Sequence, residues 1–189
     1  MTTPTTTQAF PGLVAGTWTI DPVHSEVGFT VRHLMSKVRG QFTQFEGSLE
    51  IADNPLESAA SAVIDLSSVD TRNEDRDNHL RSADFFTVDE TPQMTFQVTS
   101  LRQGDDGLVA AGDLSIRGVT KPVELSVDFL GVDNDPWGGT RVGLEATTSI
   151  SRKEWGVSFN LPLEGDKVMI GDTVTIVIVV QAVHQGESA

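Results

Sequence analysis

The chain has no cysteine, which removes disulfides, thiolate metal sites and cysteine nucleophiles together. Basic residues are scarce: 13 Lys and Arg stand against 27 Asp and Glu, giving a formal net charge of −14 and a pI near 4.5. The few cations form no run or stripe, so phosphate backbones are repelled and nucleic acid is not an expected partner. Anionic membrane surfaces are disfavoured by the same repulsion, unless a local apolar patch does the docking. No apolar run approaches the roughly 18 residues that a membrane-spanning helix needs, and even 174–180 is too short, so no stable membrane insertion is expected. The opening MTTPTTTQAFPGLVAG offers neither a basic n-region nor a continuous apolar h-region, and the expected location is cytoplasmic.

Enzyme motifs are missing as well. There is no Gly-x-Ser-x-Gly elbow, Walker loop, Rossmann glycine pattern or His-Glu-x-x-His helix. His24, His33, His79 and His184 are scattered, whereas a metal site needs several ligands to converge. The acids of 70–77 lack the central Gly and the Glu spacing of a calcium loop. The expectation is therefore a protein that is not an enzyme, with no metal and no cofactor.

What is present reads as strand. The 189 residues suit one all-β domain, with a Thr- and Pro-rich loose tail expected over 1–15 and a single barrel domain over 16–189. From Glu26 the period is two: Val27, Phe29, Val31 and His33 face one way, and Glu26, Gly28, Thr30 and Arg32 the other. Over 40–51, Phe42 and Phe45 fall on opposite parities, which predicts a bulge or bend near Gln44 that keeps both rings inside. Further strands are predicted at 62–66, 94–101, 108–116, 123–130, 142–150 and 173–183.

Between them lies TRNEDRDNHLRSADFF, charged and strand-poor. Asn73 or Thr71 caps a predicted helix there, with Glu74 and Asp75 in its first turn favourable to the dipole and Leu80 and Phe85 or Phe86 facing inward. Arg76, Asp77, Arg81 and Asp84 are expected to form a buried ion-pair network pinning the helix, or else to bind a ligand head group. About eight long strands with short turns favour closing the sheet into a barrel, which removes exposed edges. The last strand, TVTIVIVVQAV, is apolar on both faces, so its outer face calls for a tail, a helix or a second subunit as cover, and a homodimer is expected.

In order along the chain, HSEVGFTVRHLMSKVRGQF, RDNHLRSADFF with PQMTF, GDLSIRGVTKPVEL, and SRKEWGVSFN with GDTVTI resemble the YceI family of lipocalin-like, polyisoprenoid-binding proteins over about 16–184. The resemblance implies an all-β fold: an eight-stranded antiparallel lipocalin-like barrel with one short helical segment, enclosing an apolar pore for a long-chain amphiphilic lipid. Many members are exported and members are often dimeric. Thr91 precedes Pro92 here, where the family tends to carry an aromatic. A barrel of this size has room for one slender guest, so the expected ligand is a long-chain isoprenoid-type lipid, a polyprenyl phosphate or prenylated quinone, held for transport, storage or sequestration. The expected pore lining is Phe29, Val31, Phe42, Phe96, Trp155, Ile176 and Ile178, with Phe85 and Phe86 closing one end. Two alternatives stay open: a structural or stress-response interaction protein with a solidly packed barrel, and an enzyme acting on a bound lipid through His33 or His79.

Overall fold

Alternating apolar and polar residues turn most of the chain into antiparallel strands in the computed structural model, which describes residues 9–186. The elements are β1 (Gly16–Ile20), β2 (Glu26–His33), β3 (Ser36–Phe42), β4 (Phe45–Ile51), β5 (Ala59–Asp65), β6 (Val69–Asp70), α1 (Glu74–Arg81), β7 (Gln93–Gln103), β8 (Leu108–Ile116), β9 (Val119–Asn134), β10 (Thr140–Ser151) and β11 (Ile170–His184). The strands β1-β4-β5-β7-β8-β9-β10-β11 close on themselves through a β1–β11 pairing, forming an eight-stranded antiparallel barrel. A branch of β2, β3 and β6 hangs from β11.

Strand β11 is the seam. Its C-terminal end pairs with β1 at Trp18↔His184 and Ile20↔Ala182, and its earlier part pairs with β2 at Ile176↔Phe29 and Ile178↔Val27. At 15 residues it is long enough to serve both partners. Its outward side alternates exposed Thr173 and Thr175 with Val177, which is 39% exposed, while Val179 sits in register between Glu26 and Glu145. Flanking strands thus shield much of the apolar outer face.

Of the bulge or bend expected near Gln44, the structure has the bend, at Thr43, where the chain changes partners. β3 pairs with β2 and β6, whereas β4 pairs with β1 and β5. A change of partners flips side-chain parity just as a bulge would, so Phe42 and Phe45 both reach the interior. The break is stitched by the Asp65 N–H donating to the Gln44 carbonyl at 2.9 Å and the Leu66 N–H to the Pro92 carbonyl at 2.9 Å.

Helix α1 forms where its sequence predicts, with the Asn73 side chain accepting from the Arg76 N–H at 2.9 Å. The expected ion-pair network does not form. Buried Asp77 accepts from the backbone N–H of Thr71 at 2.9 Å and from its hydroxyl. Arg76 donates to the Thr71 hydroxyl and carbonyl, each at 2.8 Å, and Arg81 to the carbonyls of Ser67 at 2.8 Å and Val69 at 3.1 Å. Asp84 pairs with His79 instead. Carbonyls at the end of a short strand need donors, and supplying them avoids the desolvation cost of a buried ion pair.

Of the tail expected over 1–15, residues 1–8 lie outside the described residues. The rest is packed onto the barrel: Phe10 is 7% exposed and meets Phe129 edge-on at 5.3 Å, and Leu13 joins the cluster around Trp18. Trp18, fully buried, donates its indole N–H to the Val14 carbonyl at 3.1 Å.

The same end of the barrel is tied by Arg141, which donates to Asp21 at 2.6 Å and to Asp135 at 2.8 Å. The Arg141 hydrogen bond, then that of His24, holds the Asp21 carboxyl down from the ordinary 3.8 to about 2. Because the folded value is depressed, this contribution to stability is complete above 3.8 and is lost as pH falls from there through about 2. Urea midpoints measured across that window are expected to drop less steeply for Arg141→Leu than for the parent chain, and equal slopes would contradict the assignment.

Candidate functional site: the barrel lumen

The interior of an eight-stranded barrel is normally just filled by its own inward side chains. Several inward positions here carry almost nothing: Gly47, Ala62, Ala110, Gly112 and Ala146. Two aromatic rings also lie flat against the wall, each over a glycine. A Cβ placed on Gly40 would stand 2.4 Å from Phe29 Cζ, and one on Gly112 would stand 2.4 Å from Phe96 Cζ. Only glycine permits this approach, and any larger residue would swing the ring across the lumen. Inward-facing Met94, Phe96, Val98 and Leu101 of β7 are accordingly only half-buried.

The space left over forms two cavities of about 190 Å³ and about 200 Å³, both bordered by Val27. Phe29, Val31, Phe42, Phe85, Phe86, Trp155 and Ile176 border the first, and Phe96 and Ile178 the second. All nine residues named from the sequence therefore face the hollow. Phe85 sits at one end, buried with Val157 and Ile170. Phe86 lies further in, at 5.9 Å from Phe42 and against the cluster around Trp155. Its turn is held by Thr91, whose hydroxyl donates to the Phe86 carbonyl at 3.1 Å. The residue before Pro92 thus positions an aromatic rather than supplying one.

The polar groups of the first cavity are His33, Thr71, Arg76, His79 and Arg152. Arg152 is 6% exposed, donating to the carbonyls of Val157 at 2.7 Å and Gly171 at 3.0 Å. Its remaining nitrogen stands 3.7 Å from Asp172, and neither that nitrogen nor the facing Asp172 oxygen has a hydrogen-bond partner. Burial lowers the Arg152 pKa from the ordinary guanidinium value, with Asp172 opposing. His79 lies edge-on to Phe85 at 5.0 Å and Phe159 at 4.9 Å, with Nε2 2.8 Å from Asp84. Among the described residues no serine or threonine hydroxyl is hydrogen-bonded to a histidine ring nitrogen: the Ser36 and Ser82 hydroxyls donate to the backbone carbonyls of His33 and His79, at 3.3 and 2.6 Å, and neither imidazole is set against a hydroxyl nucleophile.

Sequence reasoning passed over Phe10 and Leu13, which border the second cavity from the chain's start, and Arg152 and Met169, which border the first. Phe10 stood in a Thr- and Pro-rich context that hid it. Arg152 reads as one charge in SRKEWG, and its approach to the lumen depends on the turn Arg152–Trp155, which no periodicity announces.

The model of the YceI-like domain matches residues 18–182. A UPF0312 protein of Staphylococcus epidermidis is 42% identical over 157 residues, covering 82% of this chain and 90% of the relative. A UPF0312 protein of Staphylococcus aureus is 41% identical over 160 residues, covering 83% and 91%. Among solved structures, the Campylobacter jejuni YceI protein superposes with a TM-score of 0.68 at 27% identity, over 82% of this chain and 90% of that one. Burkholderia cenocepacia BcnA gives 0.72 at 19% identity, over 86% and 98%. A polyisoprenoid binding domain from Saccharophagus degradans gives 0.68 at 16% identity, over 89% and 98%. The last two establish a shared fold.

Ala146 is 8% exposed and borders the second cavity, so Ala146→Phe is expected to place its ring in open space. Overpacking a filled core costs roughly 1–3 kcal/mol; in urea denaturation this variant is expected to lose less than about 1 kcal/mol, or to gain stability. A loss within the overpacking range would mean that the lumen is already full.

Proposed function

The chain belongs to the YceI family, and from that premise we propose that it is a binding protein enclosing the tail of a long-chain isoprenoid-type amphiphile, a polyprenyl phosphate or a prenylated quinone. The observation that carries this reading is an apolar hollow kept open inside a closed barrel, with cationic groups bordering one part of it. Residual cavity costs about 24 cal/mol per Å³, so two empty cavities of this size forfeit on the order of 9 kcal/mol. A whole domain is stable by only about 5–15 kcal/mol. Such a void is a poor feature of a purely structural barrel and a reasonable one of a barrel that is filled by a guest.

The energetics suit a slender apolar chain. Each buried methylene contributes about 0.8 kcal/mol, so about ten buried carbons supply about 8 kcal/mol, a micromolar dissociation constant before ordering costs. No catalytic group is needed for this. The head of the amphiphile is assigned to the first cavity, which Arg76, His79 and Arg152 border, because guanidinium groups suit phosphate and carbonyl oxygens. The solved polyisoprenoid binding domain from Saccharophagus degradans supports the ligand class through its like fold. The role that fits is cytoplasmic transport, storage or sequestration. The packed-barrel alternative is disfavoured by the open lumen, and the enzyme alternative finds no support in the surroundings of His33 or His79.

Organic extraction of natively purified protein, followed by mass spectrometry, is expected to recover a prenyl-chain lipid in an amount comparable to the number of barrels. Protein that is consistently empty, however prepared, would contradict the proposal. Phe96→Asp, which places a charge against the lumen wall, is expected to abolish retention. Circular dichroism verifies that the variant still folds, and full retention by a folded variant would remove Phe96 from the site.

A further inference from the structure

Two hairpin tips stand side by side where the first cavity meets the surface. One is the turn between β2 and β3, His33 to Ser36. The other spans 160–170: the Leu163 N–H donates to the Lys167 carbonyl at 2.9 Å, the Met169 N–H to the Leu161 carbonyl at 3.0 Å, and the Asn160 side chain pairs with both backbone groups of Ile170 at 2.9 and 2.7 Å. The Leu34 N–H donates to the Met169 carbonyl at 2.8 Å, joining the tips into one platform. The inner side of this platform, His33, Phe159 and Met169, borders the cavity. Its outer side exposes Met35 at 102%, Leu161 at 48%, Leu34 at 45%, Leu163 at 38% and Val168 at 36%.

The tip between β2 and β3 contradicts ordinary turn chemistry. A two-residue hairpin loop with positive φ at its first position alone prefers Gly there, yet here Leu34 adopts φ 54° and is followed by Met35. A leucine held in the left-handed region is strained, and here it also exposes its side chain to water. Neither folding nor solubility favours such a pair.

Charge distinguishes the same end. Of the 13 Lys and Arg residues, all but Arg102 and Arg141 lie in the half of the barrel that holds the first cavity. From Val27 to Phe45 there are Arg32, Lys37 and Arg39 and no acid. The far half carries Glu50, Asp53, Glu57, Asp105, Asp106 and Asp133, with little to balance them. The near half also holds acids, among them Glu164 and Asp166 beside Lys167 on the 160–170 hairpin, so it is close to balanced rather than basic; facing an anionic surface, a chain of net charge −14 is repelled as a whole but is turned so that this less acidic end leads.

We propose that this platform is a peripheral docking surface for a lipid bilayer with anionic head groups, Leu34, Met35 and Leu161 entering the interface while Arg32 and Lys37 meet the head groups. The inference rests on the lipid-carrier reading for its purpose, since an amphiphile that leaves a bilayer for the first cavity crosses this platform. Its physics, exposed apolar residues beside basic ones on the less acidic end, stands without the cargo.

The test is vesicle flotation of the intact chain with phosphatidylcholine alone and with phosphatidylcholine containing roughly a third phosphatidylglycerol. The parent chain is expected to float with the anionic vesicles, roughly fivefold or more above neutral ones at low salt, an advantage that high salt reduces. Leu34→Gly combined with Met35→Asn supplies the turn chemistry that a positive φ at the first position favours, so its thermal midpoint is expected to stay level or rise while flotation is lost. Leu161→Ser is expected to weaken flotation in the same direction. No flotation of the parent chain, or undiminished flotation of the Leu34→Gly/Met35→Asn variant, would overturn the proposal. Lipid content is measured on the same preparations: a lipid-loaded chain that does not float defeats only the docking surface, and an empty chain that floats defeats only the carrier reading.

Discussion

Everything in this molecule is arranged around keeping the middle of a small barrel unfilled. Eight strands enclose so little space that ordinary inward side chains would occupy all of it. Glycine and alanine at 47, 62, 110, 112 and 146 remove volume from the wall, and Gly40 and Gly112 let Phe29 and Phe96 lie against it. The buried side chains then line the wall in separate clusters rather than meeting in the middle, and Ala110, Leu114, Ile116, Val123, Leu125, Ala146 and Trp155 form one on the inner face of β8 to β10. Trp18, Leu49, Val142 and Ala182 form one cluster near the closure of β1 on β11, and Phe42, Ile64, Leu66 and Val69 form another beneath α1.

That division explains where polar bonding is invested. The helix and its flanking turns carry buried Asp77, Arg76 and Arg81 as donors and acceptors for backbone groups that no ladder satisfies. The opposite end is tied by Arg141 between two carboxylates. With its middle hollow, the fold depends on these local ties to keep loops and strand ends fixed, and a guest in the lumen would add the packing that the chain itself omits.

Much of this was legible in the amino-acid order, because period-two alternation in β2 and β11 fixes which side chains face inward: Phe29, Val31, Ile176 and Ile178 border the hollow as that parity requires. Asn73, with Glu74 and Asp75 after it, marked the helix start for reasons of local electrostatics alone. What was not legible depends on partners far apart in sequence. The break at Thr43-Gln44 gives the same parity flip as a bulge, and only the pairing of β3 and β4 with different strands separates the two. That β1 exists at all follows from its place between β4 and β11, since five residues carry too little pattern. Hollowness was implied by the family resemblance but could not be read from the residue pattern, because a glycine opposite a phenylalanine reads as a gap only once the register is known. The gathering of basic residues at one end likewise joins segments from Arg32 to Lys167 that the fold brings together.

The central claim is that the lumen is open and takes an elongated apolar chain. A crystal structure of the natively purified protein tests it most directly. The account predicts elongated electron density running from the neighbourhood of Trp155 past Val27 toward Phe129, with the rings of Phe29 and Phe96 resting on Gly40 and Gly112. A lumen closed by those rings and their neighbours, with no density beyond the protein's own side chains, would contradict it.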